Sequence, residues 1–223
     1  MSDYFKEILN HSKKASSAMS KLSAEDRSRI LMNISGFLLS KKDGILEAKR
    51  IDIDRAKSTN IPAPMINRLV LTSEKIDQLS RDVEKIAQME DPLNQTLENW
   101  TNPSNGLQFT KVSVAIGVIG IIYESRPNVT IDAACLCLRS GNVSILRGGS
   151  ECIETNKKLY ECIQEALKEL QFDPYLVCFI QNTDRSFVEE LLKAEGDIDV
   201  IIPRGGKSLI ETISQNSRVP TIK

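Results

Sequence analysis

The sequence holds a single histidine, His11, in 223 residues. Its five cysteines, Cys135, Cys137, Cys152, Cys162 and Cys178, lie far from it, and Cys135 and Cys137 would point to different faces of a helix. A zinc site needs tighter clustering than this, so no metal is expected and the thiols read as small hydrophobes. Neither sign of charge is in excess: 29 basic against 30 acidic residues give a net charge of −1, where nucleic-acid binders carry a basic surplus. No run approaches the roughly 18 uncharged apolar residues of a membrane span. Met1-Ser2-Asp3-Tyr4-Phe5-Lys6-Glu7 has no secretory apolar core, and an odd number of cysteines without an export signal suits reduced thiols. The expectation is a cytoplasmic protein without nucleic-acid or membrane partners.

Two nucleotide signatures are also missing. There is no Gly-x-x-x-x-Gly-Lys-Ser/Thr, which argues against a P-loop hydrolase. There is no Gly-x-Gly-x-x-Gly after a strand either, since Gly117 and Gly120 fall inside one.

What is present divides into two rhythms. Residues 1–105 read as a helical segment. Ser23 and Asp26 resemble a capping box ahead of Ile30, Leu31, Ile34, Phe37 and Leu38. Lys41-Lys42-Asp43-Gly44 interrupts, a charged helix runs from Ile45 towards Lys57, and Pro62 and Pro64 break the chain again. Thr72 caps a helix whose stripe is Ile76, Leu79, Val83, Ile86 and Ala87, ending before Asp91-Pro92. Charges alternate here as on solvated faces, and no chemistry is expected from this half.

Residues 106–223 read as an α/β domain. Leu107 to Val112 alternates as a half-exposed strand, and Val114 to Tyr123 is a continuous apolar run suited to a strand buried on both faces. A helix begins at Pro127 and stops at Gly141. Strands at 143–146, 177–180 and 200–202 alternate with helices at 155–170, 186–194 and 208–215, and residues 219–223 look like the opening of another strand. Such alternation specifies a parallel sheet covered by helices.

In open parallel sheets the ligand lies beyond the carboxyl ends of the strands. The strands there run into Glu124-Ser125-Arg126-Pro127-Asn128, Arg147-Gly148-Gly149-Ser150-Glu151, Gln181-Asn182-Thr183-Asp184 and Pro203-Arg204-Gly205-Gly206-Lys207-Ser208. Two of the four repeat an Arg-Gly-Gly triplet before a helix. Paired glycines let backbone N–H groups approach a ligand, a helix N-terminus favours an anion, and arginine adds a fork of donors. Two such loops suit a dinucleotide, whose phosphates are spread along its length; a pair of tight turns with solvated arginines is the bland alternative.

These blocks carry a resemblance. Residues 118–130 (VIGIIYESRPNVT), 136–142 (LCLRSGN), 145–151 (ILRGGSE) and 201–206 (IIPRGG) resemble, in this order, the gamma-glutamyl phosphate reductases, a family of the aldehyde dehydrogenase superfamily. The resemblance covers essentially the whole chain. It implies a Rossmann-type parallel sheet that does without the glycine fingerprint, with a helical N-terminal segment. It implies NADP(H) as cofactor and the reduction of L-glutamate 5-phosphate to the 5-semialdehyde with release of phosphate, in proline biosynthesis. In that chemistry a cysteine thiolate attacks the acyl phosphate and hydride reduces the thioester. By resemblance, Asn128 is the oxyanion donor, and Ser125, Arg126 and Pro127 lie along the cofactor. Arg147, with Gly148 and Gly149, faces the adenosine ribose, where an arginine suits a 2′-phosphate, and Glu151 is its acidic partner, one place later than in relatives. Pro203, Arg204, Gly205 and Gly206 lie beside the pyrophosphate and nicotinamide end. The family's nucleophilic cysteine sits in a segment like Pro-Ser-x-Cys-Asn, and none of the five cysteines here has that context. The catalytic domain is therefore expected outside residues 1–223, and this chain alone is expected to be inactive. Glutamate 5-kinase as functional partner and homo-oligomerisation of the full-length protein are further implications. Two other readings stay open: a non-catalytic assembly or regulatory module using the 107–112 strand as an oligomerisation arm, and a reductase of another acyl phosphate or aldehyde.

Overall fold

The computed structural model describes residues 1–59 and 62–222. Helices come first: α1 (Asp3–Met19), α2 (Ala24–Ser40), α3 (Lys42–Ser58), α4 (Ala63–Leu69) and α5 (Ser73–Gln88). The capping box forms, with Ser23 Oγ accepting from Asp26 N at 3.0 Å and Ser23 N donating to Asp26 Oδ2 at 3.1 Å. Thr72 Oγ1 accepts from Lys75 N and so caps α5, whose expected stripe is wholly buried. The break expected at 41–44 shrinks to Lys41 alone. Its N–H donates to Phe37 O and its carbonyl accepts from Ile45 N, so one residue closes α2 and opens α3.

One strand escaped the sequence reading. β1 (Thr96–Thr101) pairs antiparallel with β2 (Gln108–Val112), with Trp100 opposite Phe109 and their rings stacked at 5.2 Å. Every residue of both strands is exposed, so β1 has no alternation of burial to write into its sequence. The helical segment thus ends with α5, well short of residue 105.

The sheet follows: β3 (Val118–Tyr123), α6 (Asn128–Arg139), β4 (Val143–Arg147), α7 (Ile153–Glu169), β5 (Val177–Phe179), α8 (Ser186–Leu192), β6 (Val200–Arg204) and α9 (Lys207–Asn216). All pairings are parallel, in the order β5-β4-β3-β6. β3 is shorter than the apolar run that suggested it, for Val114 and Ile116 are 72% and 52% exposed. Gly117 turns the chain with φ +127°, and a Cβ there would run into the Asp199 carboxylate, which accepts from Val118 N at 2.7 Å. At the far edge Ile201 N donates to Pro220 O and Ile222 N to Ile201 O, so residues 220–222 add to β6 as another parallel segment. Lys223 lies outside the described residues.

The strand order decides where a ligand can go. From β3 the chain steps to β4 and then β5 in one direction, then returns to place β6 on the other side of β3. Right-handed crossovers put α6 and α7 on one face of the sheet and α8 and α9 on the other. The first face is covered by α2, which touches both α6 and α7. The second is covered by α1, where Tyr4 meets Phe187 edge-on at 5.7 Å and Ser2 bonds Glu190. The loops after β3 and β6 therefore leave towards opposite faces, and a crevice opens between them at the carboxyl edge.

Candidate nucleotide cleft at the carboxyl edge of the sheet

A cleft of about 210 Å³ lies at that switch point, lined by Arg68, Glu124, Arg126, Arg204, Gly205 and Gly206. Glu124 N donates to Arg204 O at 3.1 Å, carrying the β3–β6 ladder one step past the strands. The Glu124 carboxylate then reaches over and accepts from Gly206 N at 2.9 Å, at the start of α9. Arg126 and Arg204 come from the two expected loops. Arg68 comes from α4, in the half where no chemistry was expected. The arginines whose guanidiniums pair with carboxylates among the described residues are others: Arg27, Arg29, Arg50 and Arg55. Three arginines without such partners thus line the cleft with one glutamate, and the excess positive charge suits a phosphoryl ligand.

The β3 loop is held from below. Ser125 adopts φ +43°, a left-handed conformation that costs a non-glycine residue roughly 1–2 kcal/mol. Its N–H and Oγ both donate to Glu151 Oε1, at 2.7 and 2.5 Å, and these charge-assisted bonds offset the strain. Glu151, expected beside a cofactor ribose, is therefore engaged inside the protein as the anchor of the loop that carries Arg126 and Asn128.

Asn128 does not cap α6, for Pro127 takes the cap position and no side chain caps it. The half-buried Asn128 amide donates instead to Asp132 Oδ2 at 2.8 Å, which aims the amide nitrogen and leaves its second N–H for another acceptor. Burial holds the Asp132 carboxyl above the usual carboxylate range, with the Asn128 bond opposing that shift.

The two Arg-Gly-Gly turns are not equivalent, and they are not neighbours, because β3 lies between β4 and β6. Arg147 is not among the residues lining the cleft: its Nη2 donates to Thr183 O at 3.1 Å, while its buried Nε meets no acceptor among the described residues. Burial also lowers its pKa, against the nearby Glu151. Gly148 has no room for a side chain, since a Cβ would collide with the Asn156 amide and approach Tyr123 Cζ at 2.9 Å. Those groups belong to a buried chain in which Tyr123 Oη and Thr130 Oγ1 lie 2.6 Å apart and Thr130 Oγ1 donates to Asn156 Oδ1. Packing alone thus demands Gly148. The helix behind this turn is closed as well. Asp52 of α3, 1% exposed, accepts from Glu154 N and Thr155 N at 3.2 and 2.8 Å, from Thr155 Oγ1, and from Arg55. An anion expected at the N-terminus of α7 finds a protein carboxylate already there.

All five cysteines are buried. Burial pushes the thiols of Cys137 and Cys162 up to about 12 and that of Cys178 to about 11, and raises those of Cys135 and Cys152 further still. Burial of this kind favours the neutral thiol over the thiolate, which is the nucleophilic form.

The model of the aldehyde dehydrogenase family matches residues 2–223. The chain belongs to this family. Among curated relatives, the gamma-glutamyl phosphate reductase of Thermodesulfovibrio yellowstonii is 40% identical over 219 residues, covering 97% of this chain and 52% of the relative. That of Petrotoga mobilis is 43% identical with the same coverage. The crystal structure of gamma-glutamyl phosphate reductase from Thermotoga maritima superposes with a TM-score of 0.95 at 35% identity, over 99% of this chain and 53% of that one. The chain spans about half the length of the relatives it matches. A similar fold, at 18% identity and a TM-score of 0.75, occurs in glyceraldehyde-3-phosphate dehydrogenase GapN from Methanocaldococcus jannaschii, solved with NADP. Two residues of this aldehyde dehydrogenase chain, Arg68 and Asp52, escaped the sequence reading because Asp52 sits on a helix of ordinary charged composition and Arg68 is the lone charge of a short one, and only the fold carries each to the sheet's edge.

Proposed function

We propose that this chain is the nucleotide-binding half of an NADPH-dependent reductase that converts L-glutamate 5-phosphate to L-glutamate 5-semialdehyde with release of phosphate. The relatives' names support the reaction. The observation that carries the nucleotide role is the convergence of Arg68, Arg126 and Arg204 on the start of α9 at the topological switch point. These residues fit the phosphates of a dinucleotide, which when bound supplies the hydride.

In this reading Arg204, Gly205 and Gly206 grip the pyrophosphate, with Arg68 and Arg126 closing the cleft from the sides. Ser125 and Pro127 hold the floor of that wall. Arg147, whose buried Nε meets no acceptor among the described residues, serves the adenosine end and a 2′-phosphate, while Gly148 lets the turn lie close to Tyr123 and Gly149 leaves room for the Glu151 carboxylate. Glu151 anchors Ser125 through Oε1. Asn128, oriented by Asp132, offers its second N–H to the oxygen of the reacting carbonyl, where charge develops. The attacking thiolate is none of the five cysteines, so turnover requires a nucleophile that these residues do not supply.

The test is a fluorescence titration with NADPH. Saturable binding is expected, weakened about tenfold by Arg204→Ala, as suits loss of one charge-assisted contact. Absence of saturable binding by the native chain refutes the reading. Reductase turnover by this chain alone refutes the assignment of the nucleophile elsewhere.

One observation favours assembly as an added role. Leu97, Trp100, Leu107 and Phe109 all stand exposed on the β1–β2 ribbon, where an apolar surface of this kind suits pairing between copies. Light scattering that finds only monomer removes that role.

A further inference from the structure

The inference rests on the reading above, that phosphoryl groups are held in the cleft at the switch point. Glu124 is the one carboxylate among the residues lining it. Its Oε2 accepts from Gly206 N at 2.9 Å, and Gly205 lacks the Cβ that would lie 2.6 Å from the same oxygen. The backbone is cut away where this carboxylate lies. Its counterpart at the start of α7 behaves differently: Asp52 of α3 is buried and accepts from several donors, so it is fixed, whereas Glu124 is exposed and holds one amide.

A phosphoryl oxygen drawn in by Arg68, Arg126 and Arg204 meets Glu124 on that amide. One N–H cannot serve two anions well, and like charges at such range repel. We propose that Glu124 is a resident competitor for phosphoryl oxyanions: its carboxylate must leave the start of α9 when such a group binds, and its charge sets the affinity of the cleft. Selectivity follows, because only a ligand with enough negative charge to engage the arginines displaces it.

The test compares the native chain with Glu124→Gln by calorimetric titration, in separate arms with NADPH and with acetyl phosphate, a minimal acyl phosphate. Glutamine keeps an acceptor for Gly206 N–H and removes the charge. Binding in at least one arm should tighten roughly tenfold, the size of a close like-charge repulsion at intermediate screening. Tightening of NADPH alone assigns the displaced position to the dinucleotide, and tightening of acetyl phosphate alone assigns it to the substrate. Equal affinities in both arms overturn the competitor role while leaving the nucleotide reading in place. Weaker binding by Glu124→Gln overturns it too, because Glu124 would then be a ligand contact. No binding by either protein overturns both. Matching thermal melts of the two proteins show that the comparison is one of binding.

Discussion

The two glycine pairs look alike in the sequence, and the structure separates Gly148 of the first from Gly206 of the second sharply enough to test with one methyl group each. At Gly148 a Cβ would collide with the Asn156 amide and lie 2.9 Å from Tyr123 Cζ, both buried. Neither neighbour can yield freely. Asn156 accepts from Thr130 Oγ1 at 3.1 Å, and Tyr123 is locked to Thr130 at 2.6 Å. Overpacking of this kind costs about 1–3 kcal/mol. Displacing the Asn156 amide from its buried partner costs about 1–3 kcal/mol more, and the lower unfolded-state entropy of alanine returns about 0.4–1 kcal/mol. Gly148→Ala should therefore destabilise the chain by about 2–4 kcal/mol, roughly 4–16 °C in Tm for a domain of this size. At Gly206 the same methyl meets only Glu124 Oε2 at an ordinary 3.8 Å, and φ is −69°. Gly206→Ala should stay within about 0.5 kcal/mol of the native chain, as surface substitutions do. Paired urea melts, with thermal melts as a second probe, measure both. A native-like Gly148→Ala, or a Gly206→Ala that costs as much as Gly148→Ala, would refute the claim that packing fixes Gly148 and leaves Gly206 open.

Asp52→Ala removes a buried carboxylate that caps α7 and leaves the first-turn amides of Glu154 and Thr155 without an acceptor. A loss of about 2–4 kcal/mol in urea unfolding is expected, and a change under 0.5 kcal/mol would show that α7 is capped some other way. Asp132 should give pH-dependent stability of a defined sign. Burial raises its folded pKa above the ordinary 3.8, so the folded state holds the proton more tightly than the unfolded one. Its contribution is fully present below that ordinary value and is lost as pH rises through the raised one. Asp132→Asn should match the native chain at the acid end of that window and exceed it in stability at neutral pH. A difference that does not change with pH counts against burial as the cause.

Much of this architecture was legible along the chain. The alternation of apolar runs and helical stripes from residue 118 onward reflects burial on both faces of a parallel sheet, and burial of that kind has a period that sequence displays. Caps were legible too, because Ser23 with Asp26 and Thr72 with Lys75 act within a single turn. β1 was not, since a ribbon exposed on both sides has no buried face to mark. Nor was the end of the 114–123 run, which is set at Gly117 by Asn142 and Asp199 from distant loops.

For the site, the sequence by itself determined which loops would carry it: the polar stretches that follow apolar strands must gather at the carboxyl edge, because parallel strands all end on the same side. Only the tertiary structure decided how those loops divide the work. The return of the chain across β3 places Arg204 beside Arg126 and leaves Arg147 on the far side. The packing of α3 against α7 puts Asp52 where an outside anion would otherwise sit, and α4 brings Arg68 into the cleft. Partners set by long-range packing carry no local signature, so identical Arg-Gly-Gly triplets came to have different jobs.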